Sequence, residues 1–363
     1  MKIAVVARPL DINAMAAARQ RQNELLKPAG SLGELEEISI KIAGITGQIK
    51  NKFSKKIHFL FGSDHGIFEE GVSASPQYFT KVLMQLYGSS DGGGAINALC
   101  KKNNIELKIF DLGVKNLGSC PGINSDHKFM PNGTNNFADV DENNNPVRAM
   151  SIETVERVIN FGINLVKEAK NKNFCIIGAG EVGMGNTTSA AACIMAALEN
   201  YDENLVGRGG GLTDEAFMKK KSVIISALKR HKPDKNNSVE ILSCVGGLDI
   251  AAMTGIFLGG AVYRVPVIID GVISIAAALL AAKIEPLSRD FMIASHKSLE
   301  PAFSEAAKEL KIKPFLNLNM RLGEGTGCPL AMQIIDDALA VMSDMKTFNE
   351  INLESEYRKE LIQ

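Results

Sequence analysis

The sequence predicts an α/β protein: a three-layer, doubly wound, mostly parallel sheet, with a smaller helical domain built from the N- and C-terminal segments. Short apolar runs alternate with helical stretches through the middle of the 363 residues, the pattern of a parallel sheet covered on both faces. Glycine with a short polar residue follows most of these runs, and open α/β sheets bind ligands at the carboxyl ends of their strands. The residues before the first run read as a helical pair.

In chain order, Asp11 is placed to cap a helix running to about Leu26, which Lys27-Pro28-Ala29-Gly30 stops. Ser31 then stands to cap a second helix, with Glu34 in capping-box position. Strands are expected at Ile57–Phe61, Ile105–Phe110, Phe174–Ile177, Ile241–Val245, Val265–Ile269 and Phe291–Ala294. Their successors are Gly62-Ser63-Asp64-His65-Gly66, Asp111-Leu112-Gly113, Gly178 to Gly185, Gly246-Gly247, Asp270-Gly271 and Ser295-His296. These turns are expected to line one crevice. Lys115–Arg148, rich in Asn, Gly, Pro and Asp, reads as a long loop or insertion. The charged tail Phe348–Gln363 reads as a surface helix. Residues 1–50 with 330–363 are thus expected to form the small helical domain, and 51–329 the large α/β domain with 115–148 as its irregular insertion.

Composition narrows the partners. A chain with 45% hydrophobic and 22% charged residues buries a sizeable core. Its 40 basic and 41 acidic residues leave a net charge of -1 without a tract of one sign, so a small molecule fits better than nucleic acid. The N-terminal apolar stretch is too short for a signal, and Ile250–Val262 is short of a bilayer span and carries three glycines. A cytoplasmic protein without a membrane partner is expected. Six scattered cysteines, with no C-x-x-C pair, imply reduced thiols and neither zinc nor disulfides.

Chemistry concentrates in three segments. Gly178-Ala179-Gly180-Glu181-Val182-Gly183-Met184-Gly185-Asn186-Thr187-Thr188-Ser189 stands before an alanine-rich helix. Its glycines suit a backbone cradle for a monophosphate, with Asn186 and Thr187 adding donors at a helix start. A tight strand-to-helix turn needs the same small residues. The spacing Gly178-x-Gly180-x-x-Gly183 also meets the dinucleotide fingerprint, which keeps an NAD-dependent oxidoreductase in view. Against it, Glu181 would put a carboxylate in the pyrophosphate loop. Gly207-Arg208-Gly209-Gly210-Gly211 with Lys219-Lys220-Lys221 offers a second cradle and a lysine, or a solvated helix face. In Arg321-Leu322-Gly323-Glu324-Gly325-Thr326-Gly327 one carboxylate stands between glycines. It is a general base if shielded from water, or half of an Arg321–Glu324 surface pair if not. The histidines of Asp64-His65-Gly66 and Ser295-His296 lack a serine elbow or metal partner and read as bonded to backbone at the crevice edge.

Together these pieces resemble the nicotinate-nucleotide:5,6-dimethylbenzimidazole phosphoribosyltransferase family. The likeness runs from Leu26 to Glu36, through Asp64-His65-Gly66, Glu70 to Gln77, Gly93-Gly94-Ala95-Ile96-Asn97, Gly180 to Thr188 and Val206 to Gly209, to Asp270-Gly271, Ser295 to Pro301 and Arg321 to Gly327. The resemblance implies an α/β domain plus a smaller domain from both chain ends, usually dimeric, and transfer of phosphoribose from nicotinate mononucleotide to a lower-ligand base of cobamides, with inversion to an α-riboside. It implies Glu324 as catalytic base. Gly183, Gly209, Lys220, Ser298 and Arg321 are implied at the phosphate and ribose, joining Gly185, Asn186 and Thr187. Glu181 and Asp270 would orient ribose or nicotinate, and Ser73, Val82, Val182 and Leu322 would line the acceptor pocket. No metal or cofactor is implied.

Departures gather near that pocket: Val82 stands where the family usually has glutamine, Val182 where it has leucine, and Gly209-Gly210-Gly211 where it has Gly-Thr-Gly. Gly247-Leu248-Asp249 replaces Gly-Phe-Glu, and Ala302-Phe303 replaces Gly-His after Glu300-Pro301. A more apolar pocket suits another benzimidazole, a purine or a phenol such as p-cresol, since lost hydrogen bonds discriminate strongly. The phenolic version of the family works as a pair of related subunits, so homodimer and heterodimer both stay open, as does a catalytically silent partner subunit.

Overall fold

A computed structural model describes Ile3 and residues 5–353. Among these residues six strands form one sheet: β1 (Lys56–Ser63), β2 (Ile105–Gly113), β3 (Ile123–Asn124), β4 (Ile176–Val182), β5 (Val267–Ile269) and β6 (Met292–Ala294). Their order is β3-β2-β1-β4-β5-β6 and every neighbouring pair is parallel. Strand order therefore reverses between β1 and β4, the switch point at which a doubly wound sheet opens a crevice.

Alternating side chains sort the helices into layers. Leu60, Ile176, Ile268 and Ile293 point to one face, covered by α2 (Glu34–Thr46), α3 (Tyr78–Tyr87), α4 (Ala95–Lys102) and α12 (Gly327–Asp344). Phe59, Phe61, Ile177, Val267 and Ile269 point to the other. That face meets α9 (Leu248–Tyr263) and α10 (Val272–Ile284), backed by α5 (Ile152–Asn171), α6 (Asn186–Leu198), α7 (Asp214–His231), α8 (Ser238–Val245) and α11 (Pro301–Leu310). The apolar stretch Ile250–Val262 is α9, hydrophobic all round because α5 and the sheet enclose it. No helix of the described residues is long and apolar enough to cross a membrane.

The chain ends meet. Helix α1 (Ile12–Glu24) begins where Asp11 accepts from the Ala14 amide at 2.9 Å, as expected, and packs on α2. Arg21 Nε donates to the Met342 carbonyl at 2.8 Å, which ties α1 to the end of α12. Helix α12 continues from under the sheet into this group, across the position expected to divide the domains.

Several local expectations need correction. Ile241–Val245 is the body of α8, started by Asn237, whose side chain accepts from the Glu240 amide. A short apolar run buried on all sides has no period to betray its type. Gly246-Gly247 is consequently a joint between helices. The second helix has Gly33 as N-cap; Ser31 lies two residues earlier, and Glu34 reaches out to Lys313 at 2.7 Å. The segment 115–148 contributes β3 to the sheet edge, and Phe137 anchors the rest in the core. In the tail Asn349–Ile351 is a short 3-10 turn, and residues 354–363 lie outside the described residues. The six cysteines are free, four of them buried.

Candidate active site

A cleft of about 350 Å³ opens where β4, β5 and β6 end. It is lined by Gly180–Thr187, Arg208–Gly210, Asp270–Ser274, His296, Ser298, Glu300 and Arg321–Glu324, with Val72–Ser75, Phe79 and Leu83 across from them. Of the six turns expected to meet in one crevice, those that follow β4, β5 and β6 do so, whereas Gly62–Gly66, Asp111–Gly113 and Gly246-Gly247 do not line it.

Glu324 sits at the tip of a loop in which three successive residues adopt left-handed backbone: Gly323 at φ 86°, Glu324 at 61° and Gly325 at 74°. Glycine takes this conformation freely, whereas a glutamate there is strained and persists only if its surroundings hold it. The surroundings do so from below. Asp270 accepts from the amides of Gly327 at 2.7 Å and Gly325 at 3.2 Å, and Thr326 Oγ1 donates to the Gly323 carbonyl at 2.8 Å. The buried ring of His58 in β1 lies against Gly325.

The carboxylate of Glu324 turns inward. Its Oε1 accepts from the Tyr87 hydroxyl at 2.5 Å, while Oε2 is buried without a partner among the described residues. Burial raises its pKa, opposed by the Tyr87 hydrogen bond. Arg321 stays exposed at the mouth and makes no ion pair with Glu324, so the surface-pair alternative is not formed. A shielded carboxylate with one restrained and one free oxygen is equipped to take a proton.

Two more acids border it. Glu181 ends β4, its Oε2 accepting from Asn186 Nδ2 and its Oε1 from the Glu324 amide at 3.4 Å. Burial, with Asp249 and Asp270 nearby, raises its pKa well above the usual carboxylate value. Burial also pushes Asp270 up, to about 7, against the loop amides that favour its charged form.

Arg208 and Arg321 line the cleft, and a third cation lies buried behind its lining. Lys220 is completely buried behind the lining residues Thr187 and Gly209, its Nζ donating to Thr187 Oγ1 at 2.9 Å and to the Gly207 carbonyl at 3.0 Å. Burial lowers its pKa to about 8, against the charge of Glu300. Glu300 accepts from the Gly209 amide at 2.9 Å, and Ser298 Oγ from the Glu300 amide at 3.3 Å. Lys219 and Lys221 lie on the outer side of α7, Lys221 over the Phe217 ring, so one lysine of the three points inward. Gly183, Gly185 and Asn186 lead into α6, the helix start expected of an anion cradle.

The glycine fingerprint resolves differently from expectation. Gly178, Gly180, Glu181 and Val182 belong to β4 itself, and the loop begins only at Gly183. Gly178 packs against His58 and Cys328, and Gly180 against the backbone of Glu324 and Gly325. Those glycines admit neighbouring protein, which leaves no pyrophosphate cradle of the dinucleotide type between them.

Of the residues expected around an acceptor, Ser73, buried Val182 and exposed Leu322 line the cleft. Val82 does not: it is 43% exposed on the outer side of α3, and its neighbours Phe79 and Leu83 face the cleft. Tyr87, Phe79, Leu83 and Glu300 were not singled out in the sequence. A signal for Tyr87 existed, because Thr80, Met84 and Tyr87 form the buried stripe of α3, and a buried tyrosine hydroxyl needs a partner.

The histidines are held by side chains, not backbone. His65 Nδ1 lies 3.0 Å from Ser189 Oγ and Nε2 3.2 Å from Asp249 Oδ2. All three are fully buried away from the cleft and brace β1, α6 and α9. His296 borders the cleft with Nδ1 3.0 Å from Ser295 Oγ.

Comparison with known proteins agrees with this geometry. The chain is 42% identical over 352 residues to the nicotinate-nucleotide–dimethylbenzimidazole phosphoribosyltransferase of Clostridium perfringens strain 13, covering 97% of this chain and 94% of that protein. It is 40% identical over 343 residues to the protein of that name from Chloroflexus aurantiacus strain J-10-fl, covering 94% and 95%. The crystal structure of CobT from Thermus thermophilus superposes with a TM-score of 0.86 at 34% identity, covering 94% of this chain and 99% of that one. With the phosphoribosyltransferase family model DBI_PRT matched over residues 7–353, and a shielded carboxylate in a cleft backed by a buried lysine, the chain belongs to that family of phosphoribosyltransferases.

Proposed function

We propose that this enzyme transfers the phosphoribosyl group of nicotinate mononucleotide to a lower-ligand base, yielding an α-ribotide 5′-phosphate and nicotinate for the nucleotide loop of a cobamide. The free, buried Oε2 of Glu324 at the acceptor end of the cleft carries the reading. The nucleotide's phosphate lies towards the Thr187, Gly209 and Lys220 end, with Gly183, Gly185, Asn186, Ser298 and Arg321 around phosphate and ribose. Glu181 and Asp270 face the ribose and the cationic pyridinium; burial raises both pKa values, and the approach of the cationic ring favours their charged forms, which in turn favour the positive charge that develops at C1′. As the acceptor attacks C1′, Glu324 takes its proton. The bond from C1′ to the pyridinium nitrogen breaks, its electrons neutralise the ring, and attack from the opposite face inverts the centre. Holding both reactants in line supplies much of the acceleration.

The acceptor side is apolar: Val72, Phe79, Leu83, Val182 and Leu322, with Ser73 as its hydroxyl. This lining suits 5,6-dimethylbenzimidazole, a related benzimidazole, a purine or a phenol. Incubation of the purified enzyme with nicotinate mononucleotide and a panel of these acceptors, read by mass spectrometry, is expected to give an α-ribotide. Absence of product from every acceptor, with the enzyme shown folded, counts against the reading.

Lys220→Met is expected to raise the KM for nicotinate mononucleotide about 10- to 100-fold, the loss of a hydrogen bond to a charged group, with less effect on kcat. Because burial lowers Lys220 to about 8, the ammonium is present below that pH and lost above it. KM should therefore climb above pH 8 in the unaltered enzyme and not in Lys220→Met. A KM unchanged by the substitution removes Lys220 from phosphate binding.

The same proposal extends to assembly and location. Tyr78, Phe79, Val82 and Leu86 leave an apolar side of α3 exposed beside the cleft, which supports a dimer, either of this chain or with a related subunit, testable by sedimentation. The free thiols suit the cytoplasm. Packing of α1, α2 and the end of α12 supports a small helical domain from the described parts of 1–50 and 330–363, of which 354–363 lie outside the described residues, beside the α/β domain of 51–329.

A further inference from the structure

The segment Gly93-Gly94-Ala95-Ile96-Asn97 lies outside the cleft, and the reaction as described assigns it nothing. Its contacts converge on Tyr87. Asn97 Nδ2 donates to the Tyr87 carbonyl at 2.9 Å, and Asn97 Oδ1 accepts from the Gly94 amide at 3.1 Å. A β-carbon on Gly94 would stand 2.3 Å from Tyr87 Cε1. With φ at -84° that position suits any residue conformationally, so glycine is there to let the ring lie flat against the backbone. Met84, one turn earlier on the same stripe, fixes α3 on Gly62 of β1. Tyr87, 2% exposed, is thus clamped from its own helix and from the start of α4.

We propose that Tyr87 is the positioning residue of the catalytic carboxylate: its hydroxyl holds Glu324 Oε1 and so presents Oε2 to the acceptor's proton. The inference rests on Glu324 being the base. The groups facing Glu324 are Tyr87 from α3, Glu181 from β4, Asp270 from the end of β5, His58 from β1, and Arg321 at the mouth in its own loop. Among the described residues Tyr87 is the one whose donor reaches the Glu324 carboxylate; Asp270 and Glu181 hold only backbone amides of that loop. A strained loop tip between two glycines supplies reach but no side-chain orientation. Tyr87 supplies the orientation. Burial and the adjacent Glu324 raise the phenol's pKa, which keeps it a donor wherever the enzyme works.

Tyr87→Phe keeps the ring and its packing and removes the hydroxyl alone. Expected are a kcat lowered about 10- to 100-fold and a nucleotide KM left nearly unchanged. The acid limb of the kcat profile should move up by about one pH unit, because the carboxylate loses the donor that favours its charged form. Gly94→Ala, which displaces the ring without touching the hydroxyl, should shift the limb in the same direction. Thermal unfolding of both variants verifies the fold, and Glu324→Gln is measured alongside. If Glu324→Gln is inactive but Tyr87→Phe keeps the original acid limb, whether or not kcat falls uniformly, Tyr87 is packing alone and the proposal is overturned. If Glu324→Gln retains turnover, the base assignment fails and takes the proposal with it.

Discussion

Glu324→Gln is expected to lower turnover by about a thousandfold, within the range that a positioned general base contributes, while nicotinate mononucleotide still binds. The amide preserves the shape of the side chain and can still accept from Tyr87, but it cannot take the acceptor's proton. Because burial raises the Glu324 pKa, the base form appears as pH rises through a value above that of a free glutamate. The unaltered enzyme should accordingly lose kcat on its acid side above the usual carboxylate range, and that limb should be missing from the residual activity of the variant. Steady-state kinetics across pH, with binding of the nucleotide followed by calorimetry, separates the two effects. Turnover within a few-fold of the unaltered enzyme would remove Glu324 from the role of base.

Gly180→Ala should cost about a hundredfold in turnover although it adds one methyl group and touches no reacting atom. A β-carbon there would stand 2.5 Å from the Glu324 carbonyl oxygen and 2.6 Å from the Gly325 amide nitrogen. Both neighbours are backbone and have no flexible end to swing aside, so the loop itself must move. A displacement near 1 Å at a catalytic group costs on the order of a hundredfold. Strain at Glu324 makes the loop sensitive, since its left-handed backbone is kept by a few contacts: Asp270 and Glu181 on its amides, Thr326 on the Gly323 carbonyl, and the packing against β4 and His58. The expected signature is a fall in kcat with a milder change in nucleotide KM, because Thr187, Gly209 and Lys220 lie at the other end of the cleft. A kcat equal to that of the unaltered enzyme would mean that the loop accommodates the methyl and that its position matters less than its carboxylate.

The two variants mark the division between what near neighbours encode and what distant contacts decide. By itself the sequence determined the α/β class, five of the six strands, the cap at Asp11, the crevice at the strand ends, and Glu324 as a carboxylate on a permissive loop. Each is written locally: alternation of side chains makes a strand, and glycines beside one acid make a loop that can approach a ligand. Only the tertiary structure decided what the glycines of Gly178-x-Gly180-x-x-Gly183 are for, because a glycine that admits a phosphate and one that admits a neighbouring backbone read alike. It turned Ile241–Val245 into a helix, since a segment enclosed on every side carries no period. It set Phe79 and Leu83, not Val82, against the cleft, because which side of α3 meets the site depends on how the helix docks on β1 and β4. And it brought Tyr87 to Glu324 across 237 positions of chain: the buried stripe of α3 marks Tyr87 as needing a partner, but which partner is decided where α3 and the loop before α12 meet on the same face of the sheet.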